Sequence, residues 1–330
     1  MTEIYLSERF CAVTEESRLV EYISKDEPSE VGMILTGKVN RIMKALDCAF
    51  VDIGREKDGF LPLDEKILDK EPIRSGDRVL VQIRKEEYGG KGAFLTRDLA
   101  VAGKHLMLMP ANIHVGVSRR FAEENRAKQE ERGKKISRGE YGIVVRKAAE
   151  DEKDETLEAE WEALKEKWEI IRETGEMRTG AEEEILREYG DGARICRVDA
   201  LPADLKRQKR EAEGRKVRLP HGGNIVIDRC EAMSVIDVNS AGDAGREKRE
   251  TVMETNLEAC AEIAIQVRLR NLSGILIIDM IDMDDETDRE RVMDELKKCF
   301  SRDRVKTVIH GWTRLGLIEM TRKRGRKAWQ

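Results

Sequence analysis

The chain has 330 residues, 40% hydrophobic and 38% charged, with 61 Lys and Arg against 66 Asp and Glu and a formal net charge of −5. That length suits two or three domains, each with its own core, and the acidic balance excludes a globally basic nucleic-acid-binding domain. No apolar run approaches the roughly 20 residues that span a bilayer, and the polar start MTEIYLSERF is unlike a signal peptide, so a cytoplasmic location is expected.

In chain order, residues 31–100 read as all-β. GMILTGKVNRI, CAFVDIG, DGFLPL, RVLVQIRKEE and GKGAFLTRDL are short β-rich runs separated by Gly, Asp and Ser. Five strands in so short a stretch suggest a small barrel of the oligonucleotide-binding (OB) type. HLMLMP and YGIVVRKAAE read as further strands on either side of a basic segment, 119–138. Across 151–173, Leu157, Trp161, Leu164, Trp168 and Ile171 recur at spacings of three and four, which predicts a helix with one core-facing stripe. Residues 174–216 are poor in apolar residues and read as a polar connection with a short helix at most. From about 217 the pattern turns α/β, with strands at GNIVIDRC, MSVIDVNS, GILIIDMIDM and KTVIH. Helices are predicted at about 250–271, with Met253, Leu257, Cys260, Ala264 and Val267 on one face, and at about 288–300. The six cysteines form no Cys-x-x-Cys and the four histidines are scattered, so reduced thiols and no Cys/His zinc site are expected. The basic tail TRKRGRKAW reads as a phosphate-binding segment through Arg322, Lys323, Arg324 and Arg326.

Two aspartates carry the most chemistry. In MSVIDVNS, strand alternation puts Asp237 and Asn239 on one face, so Asn239 can orient the Asp237 carboxylate. In GILIIDMIDM, Ile275–Ile278 reads as a buried central strand with Asp279 at its C-terminal end. One helix separates the two strands, a crossover that makes them parallel and opens both C-terminal ends on the same sheet edge. Two carboxylates brought together there repel unless a cation lies between them or one is protonated. Carboxylate ligands suit a hard ion, magnesium or manganese. The plain alternative is that each aspartate caps the turn that follows it.

At these residues the chain resembles the ribonuclease E/ribonuclease G family of bacterial endoribonucleases, through EAMSVIDVNSA, TNLEACAEIAIQVRLRNLSGILIIDMIDM and TRLGLIEMTRKRGR. Upstream, VGMILTGKVNRIMKALDCAFVDIGREKDGFLPL resembles the family's OB-fold RNA-binding domain, and GVSRRF with YGIVVRKAAE its 5′-end sensor. The resemblance implies a mixed α+β and α/β multidomain fold. A ribonuclease-H-like part (1–30 and 176–228) would carry an inserted OB barrel (31–100) and a sensor segment (101–175), followed by a DNase-I-like catalytic domain (229–330). It further implies that Asp237 and Asp279 ligate magnesium, with Asn239 orienting Asp237. Phe50 and Phe60 would stack on RNA bases, Lys85 and Lys91 would contact RNA, and Arg146 would sit in the 5′-end pocket. From the residues alone, the two rings could equally be barrel core and the two lysines plain solvated charge.

The expected function is magnesium-dependent cleavage of single-stranded RNA, leaving 5′-phosphate and 3′-hydroxyl ends; the alternative is a non-catalytic RNA-binding protein that keeps the barrel. Lys147 stands where the family pocket has a threonine, with Arg119 and Arg120 as neighbouring cations. The link between the Trp168 helix and VRLPHGG is shorter than in the family. No paired cysteines of the family's zinc link follow, so no zinc is expected, and a homo-oligomer would have to form without it.

Overall fold

In a computed structural model, the structure describes residues 1–26, 29–65, 67, 72–87, 90–178, 180–190, 192–240 and 248–323. The chain divides into two compact units, Met1–Pro28 with Glu188–Gln330, and Ser29–Arg187. It opens with three antiparallel strands, β1 (Thr2–Leu6), β2 (Phe10–Glu15) and β3 (Arg18–Ser24).

The second unit begins with β4 (Ile34–Met43), β5 (Cys48–Asp52), β6 (Gly59–Pro62), β7 (Arg78–Lys85) and β8 (Phe94–Thr96). Their order is β4-β5-β6-β8-β7, and pairing of β4 with β7 closes a five-stranded barrel. Val39, Ala49, Val51, Leu61, Val81, Ile83 and Leu95 fill its interior. Two glycines permit the close parallel pairing of β6 and β8. A Cβ on Gly59 would meet Leu95 Cδ1 at 2.5 Å, and one on Gly92 would meet the Asp58 carbonyl oxygen at 2.0 Å. Beyond the barrel lie β9 (Val101–Ala102), β10 (Leu106–Met109), β11 (Val115–Val117), α1 (Glu123–Ser137) and β12 (Gly142–Val145). These strands form a sheet in the order β11-β12-β10-β9. The stripe Leu157, Trp161, Leu164, Trp168 and Ile171 is buried along α2 (Asp154–Thr174). Gly175, in the left-handed region at φ 73°, ends that helix by donating to the Ile171 carbonyl. Strand β13 (Glu176–Met177) then adds to β4.

The chain continues through α3 (Ala181–Tyr189), β14 (Arg194–Arg197) and α4 (Ala203–Glu213). The expected polar connection is therefore structured. Its helices escape periodicity because α3 buries only Ile185, and α4 only Leu205 and Ala212. Strand β14 pairs in parallel with β1, Glu3 opposite Arg194. Next come β15 (Lys216–Arg218), β16 (Asn224–Arg229), β17 (Met233–Asn239), α5 (Lys248–Leu269) and β18 (Gly274–Asp279). The remaining elements are α6 (Glu286–Phe300), β19 (Thr307–Trp312) and β20 (Ile318–Arg322). The six strands run β15-β16-β17-β18-β20-β19. Residues of α5 and α6, among them Cys260, Ile263, Ala264, Val292 and Leu296, share one buried core with Ile236, Val238, Leu276 and Ile278. The other face is open, which corrects the reading of Ile275–Ile278 as buried throughout: Ile275 is 45% exposed beside a fully buried Leu276.

Candidate active site and nucleic-acid interface

Strands β17 and β18 are parallel, and Asp237 is the register partner of Asp279. Neighbouring strands lie about 4.8 Å apart, so the two carboxylates project side by side from the C-terminal edge of the open face. Both are solvent-exposed, while Ile236, Val238 and Ile278 beside them in sequence are buried. The Asn239 side-chain amide donates to Asp237 Oδ2 at 2.9 Å, as expected from the alternation. Partial burial, then the negative charges of Asp237 and Asp282, push the Asp279 carboxyl above its ordinary range. The Asp237 contribution is the repulsion expected between two carboxylates at neighbouring strand ends. These oxygen donors fit a hard divalent ion; Asn239 holds one oxygen of Asp237 and leaves the other available. The segment after Asp279 is fixed by a residue that sequence reasoning missed. Asn256 of α5 is fully buried; its amide donates to the Ile281 carbonyl at 2.9 Å and accepts from the Ile281 N–H at 3.0 Å. The available signal was a lone asparagine in the apolar stretch TNLEACAEIA.

The same edge carries a second set of metal-capable donors. Asn224, at the start of β16, pairs with Asn239, and the preceding turn presents His221 to Glu258 of α5, with His221 Nδ1 against the carboxylate. Donor atoms of His221, Glu254 and Glu258 all lie within 4.8 Å of one another.

On the barrel, Phe50 and Phe60 are opposite one another on β5 and β6, and both rings are half-buried on the outer face. Their neighbours Ala49, Val51 and Leu61 point inward at 0% exposure. The rings are therefore not barrel core. Lys85 at the end of β7 and Lys91 ahead of β8 are both exposed. Two residues absent from the sequence reading join this surface, Arg41 over the Phe50 ring at 4.8 Å and Phe94 beside Phe60 at 5.6 Å.

The four 5′-pocket candidates share one end of the β11–β12 sheet. Val117 pairs with Val145, so Arg119 and Arg120 follow β11 where Arg146 and Lys147 follow β12. Arg119 and Arg120 are exposed. Arg146 Nη1 donates to the carbonyls of Gly103 (2.6 Å) and Lys104 (3.3 Å). The Lys147 ammonium lies 5.1 Å from the centre of the Phe121 ring and pairs with Glu150, whose carboxyl it holds below the usual range.

The tail needs a correction. Arg322 is 4% exposed and belongs to β20, not to a phosphate-binding tail. Its guanidinium donates to both oxygens of buried Asp303 (2.7 and 3.1 Å), to Asn271 Oδ1 and to the Leu272 carbonyl. Four of its five N–H groups are thus spent on protein acceptors inside the fold. Lys323 is exposed, and Arg324 and Arg326 lie outside the described residues.

These parts define a mixed α/β protein with a closed, OB-like barrel bearing an aromatic and cationic face in one unit and a sheet edge bearing paired carboxylates in the other. The sequence matches the model of the Ribonuclease E/G family over residues 100–201 and 200–325. Ribonuclease G of Salmonella typhimurium (strain SL1344) and of Escherichia coli (strain K12) are each 35% identical, over 90% of this chain and 73% of theirs. Ribonuclease E of Escherichia coli (strain K12) is 34% identical, over 88% of this chain and 33% of its own length. The chain belongs to the ribonuclease E/G family.

Proposed function

We propose that this family member is an endoribonuclease that binds single-stranded RNA on the barrel and cleaves it at the Asp237/Asp279 edge, with magnesium as the cofactor. Endoribonuclease activity follows from the family and from relatives named ribonuclease G and ribonuclease E. The observation that carries the catalytic assignment is the register of Asp237 with Asp279 at one open strand edge. Asp237 and Asp279 would hold the ion; Asn239 fixes the rotamer of Asp237, and Asn256 fixes the backbone that follows Asp279. When bound there, magnesium supplies a Lewis acid for a phosphodiester oxygen. The expected products carry a 5′-phosphate and a 3′-hydroxyl.

The aromatic face supports RNA as the substrate, because unpaired bases stack on exposed rings while cations meet the backbone. The domain reading stays as the sequence analysis states it, a ribonuclease-H-like part interrupted by the barrel and sensor, then a DNase-I-like part. Chain division at residues 28/29 and 187/188 supports the insertion. The test is incubation of purified protein with an end-labelled single-stranded RNA, with magnesium, with manganese and with EDTA. Endonucleolytic fragments that require the ion and carry 5′-phosphates support the reading; binding without cleavage under every condition would leave an RNA-binding protein alone.

A further inference from the structure

The barrel carries more than two aromatic positions. Register partners trace one row across five strands: Arg41 with Phe50, Phe50 with Phe60, Phe60 with Phe94, and Phe94 with Lys85. The row is continuous in space. Arg41 lies 4.8 Å from the Phe50 ring centre, Phe50 and Phe60 are 6.1 Å apart edge to face, Phe60 and Phe94 are 5.6 Å apart at 31°, and Lys85 Nζ is 5.3 Å from the Phe94 centre. All three rings are half-buried while Ala49, Val51, Leu61 and Leu95 beside them are wholly inside. A ring on the outer face fills no space in the barrel core, and three contiguous half-buried rings form an apolar strip on the barrel surface.

We propose that Phe94 is a third base-stacking position and that Arg41 and Lys85 hold the phosphates at the two ends, so the barrel takes a run of three consecutive unpaired nucleotides. The inference rests on the reading of the barrel as the RNA-binding surface and sets its footprint. Phe60 and Phe94, tilted by 31° to one another, suit two successive bases stacked in the same sense. Phe50, turned by 84° from Phe60, takes the base at the point where the backbone bends. Arg41 is the stronger end clamp, since a guanidinium pairs with phosphate through two parallel hydrogen bonds where an ammonium offers a point charge. Gly92 matters here as well, because the close approach it permits at Asp58 brings the start of β8 alongside β6 and so Phe94 beside Phe60.

The experiment measures binding of the full chain, without divalent ions, to labelled RNA nonamers that are abasic except for a central block of one to four uridines. The block design makes the result insensitive to sliding along the strand. For the natural chain, affinity is expected to climb by about five-fold or more per base and to level off at three. For Phe94→Ala and Phe94→Leu the climb stops at two, and Phe94→Trp restores the third step. Arg41→Ala lowers affinity equally at all block lengths and reduces the salt slope by about 0.7. Circular dichroism and melting show that each variant is folded, and Phe94→Leu covers the case in which the alanine variant is not. A Phe94→Leu series that superimposes on the natural one overturns the proposal while leaving the barrel reading intact. Failure of Phe50→Ala and Phe60→Ala to change the series would instead overturn the barrel reading.

Discussion

Asp279, proposed above as a metal ligand, sits where its charge opposes the stability of the fold. Burial, Asp237 and Asp282 all raise its carboxyl pKa in the folded chain. A raised folded value means the native state holds that proton more tightly than the unfolded state. Below the ordinary carboxylate range, near about 4, both states are protonated and the group is neutral in its effect. As pH rises through and past the folded value, ionisation costs the native state increasingly, and at neutral pH the penalty is complete. Asp279→Asn is therefore expected to raise the melting temperature of ion-free protein at pH 7. The gain should be under about 1 kcal/mol because the group is exposed and screened. Calorimetry in EDTA at neutral pH and near pH 3.5 should show the gain at the first and little of it at the second; a variant less stable at pH 7 would contradict the carboxylate repulsion. Asp237 and Asn239 were legible at this scale because period-two alternation alone places both on one face. Arg41 and Phe94 were not, because nothing local in NRIM or GAFL says that β4 and β8 flank the aromatic strands.

At the scale of elements, the end of β20 and the end of β12 invite different experiments. Arg322 and Asp303 form a buried ion pair, their side chains 3% and 1% exposed. Removing one partner strands the other charge out of water. Asp303→Ala or Arg322→Ala should thus cost about 3–5 kcal/mol in urea unfolding, whereas Lys323→Ala should cost almost nothing. A phosphate-binding role for Arg322 would predict the reverse, normal stability with weaker RNA binding. The motif misled at Arg322 because a run of basic letters carries no sign of which of them still belongs to the strand. At β12, Lys147 is already engaged by Glu150 and the Phe121 ring. A flexible ammonium attracts a triphosphate as readily as a monophosphate, so little preference for a 5′-monophosphate is expected. Cleavage rates on one RNA bearing 5′-monophosphate, 5′-triphosphate or 5′-hydroxyl measure this, with Lys147→Thr expected to raise the monophosphate advantage. A strong advantage in the natural chain at moderate salt would contradict it. Helix α2 was readable because five apolar residues repeat on a charged background. With so few buried side chains, α3 and α4 produced no such signal.

At the scale of the molecule, the unit bearing the aspartate edge is assembled from the two ends of the chain. Strand β1 needs β14 as its parallel neighbour, and ion pairs tie the first strands to later elements: Arg268 to Glu15 at 2.6 Å, Arg304 to Glu21, and Arg18 to Glu262. Tyr189 donates to the same Glu21 carboxylate, and burial pushes its phenol well above the ordinary range. None of these partners is near the other in sequence, so hydrophobic period and turn chemistry could not reveal them. The strand runs of the barrel and the β17–α5–β18 crossover, by contrast, were legible, although the open face of β18 was not. The acidic net charge is also reconciled at this scale, since a chain of charge −5 places Arg41 and Lys85 against half-buried rings of the barrel. The most direct test of the whole account separates binding from cleavage in the intact chain. With Asp237→Asn and Asp279→Asn, magnesium-dependent cleavage of a labelled single-stranded RNA should fall by about a thousand-fold or more, while RNA affinity stays within about two-fold because the barrel is untouched. Near-normal turnover by either variant would contradict the assignment of the paired aspartates as the catalytic centre.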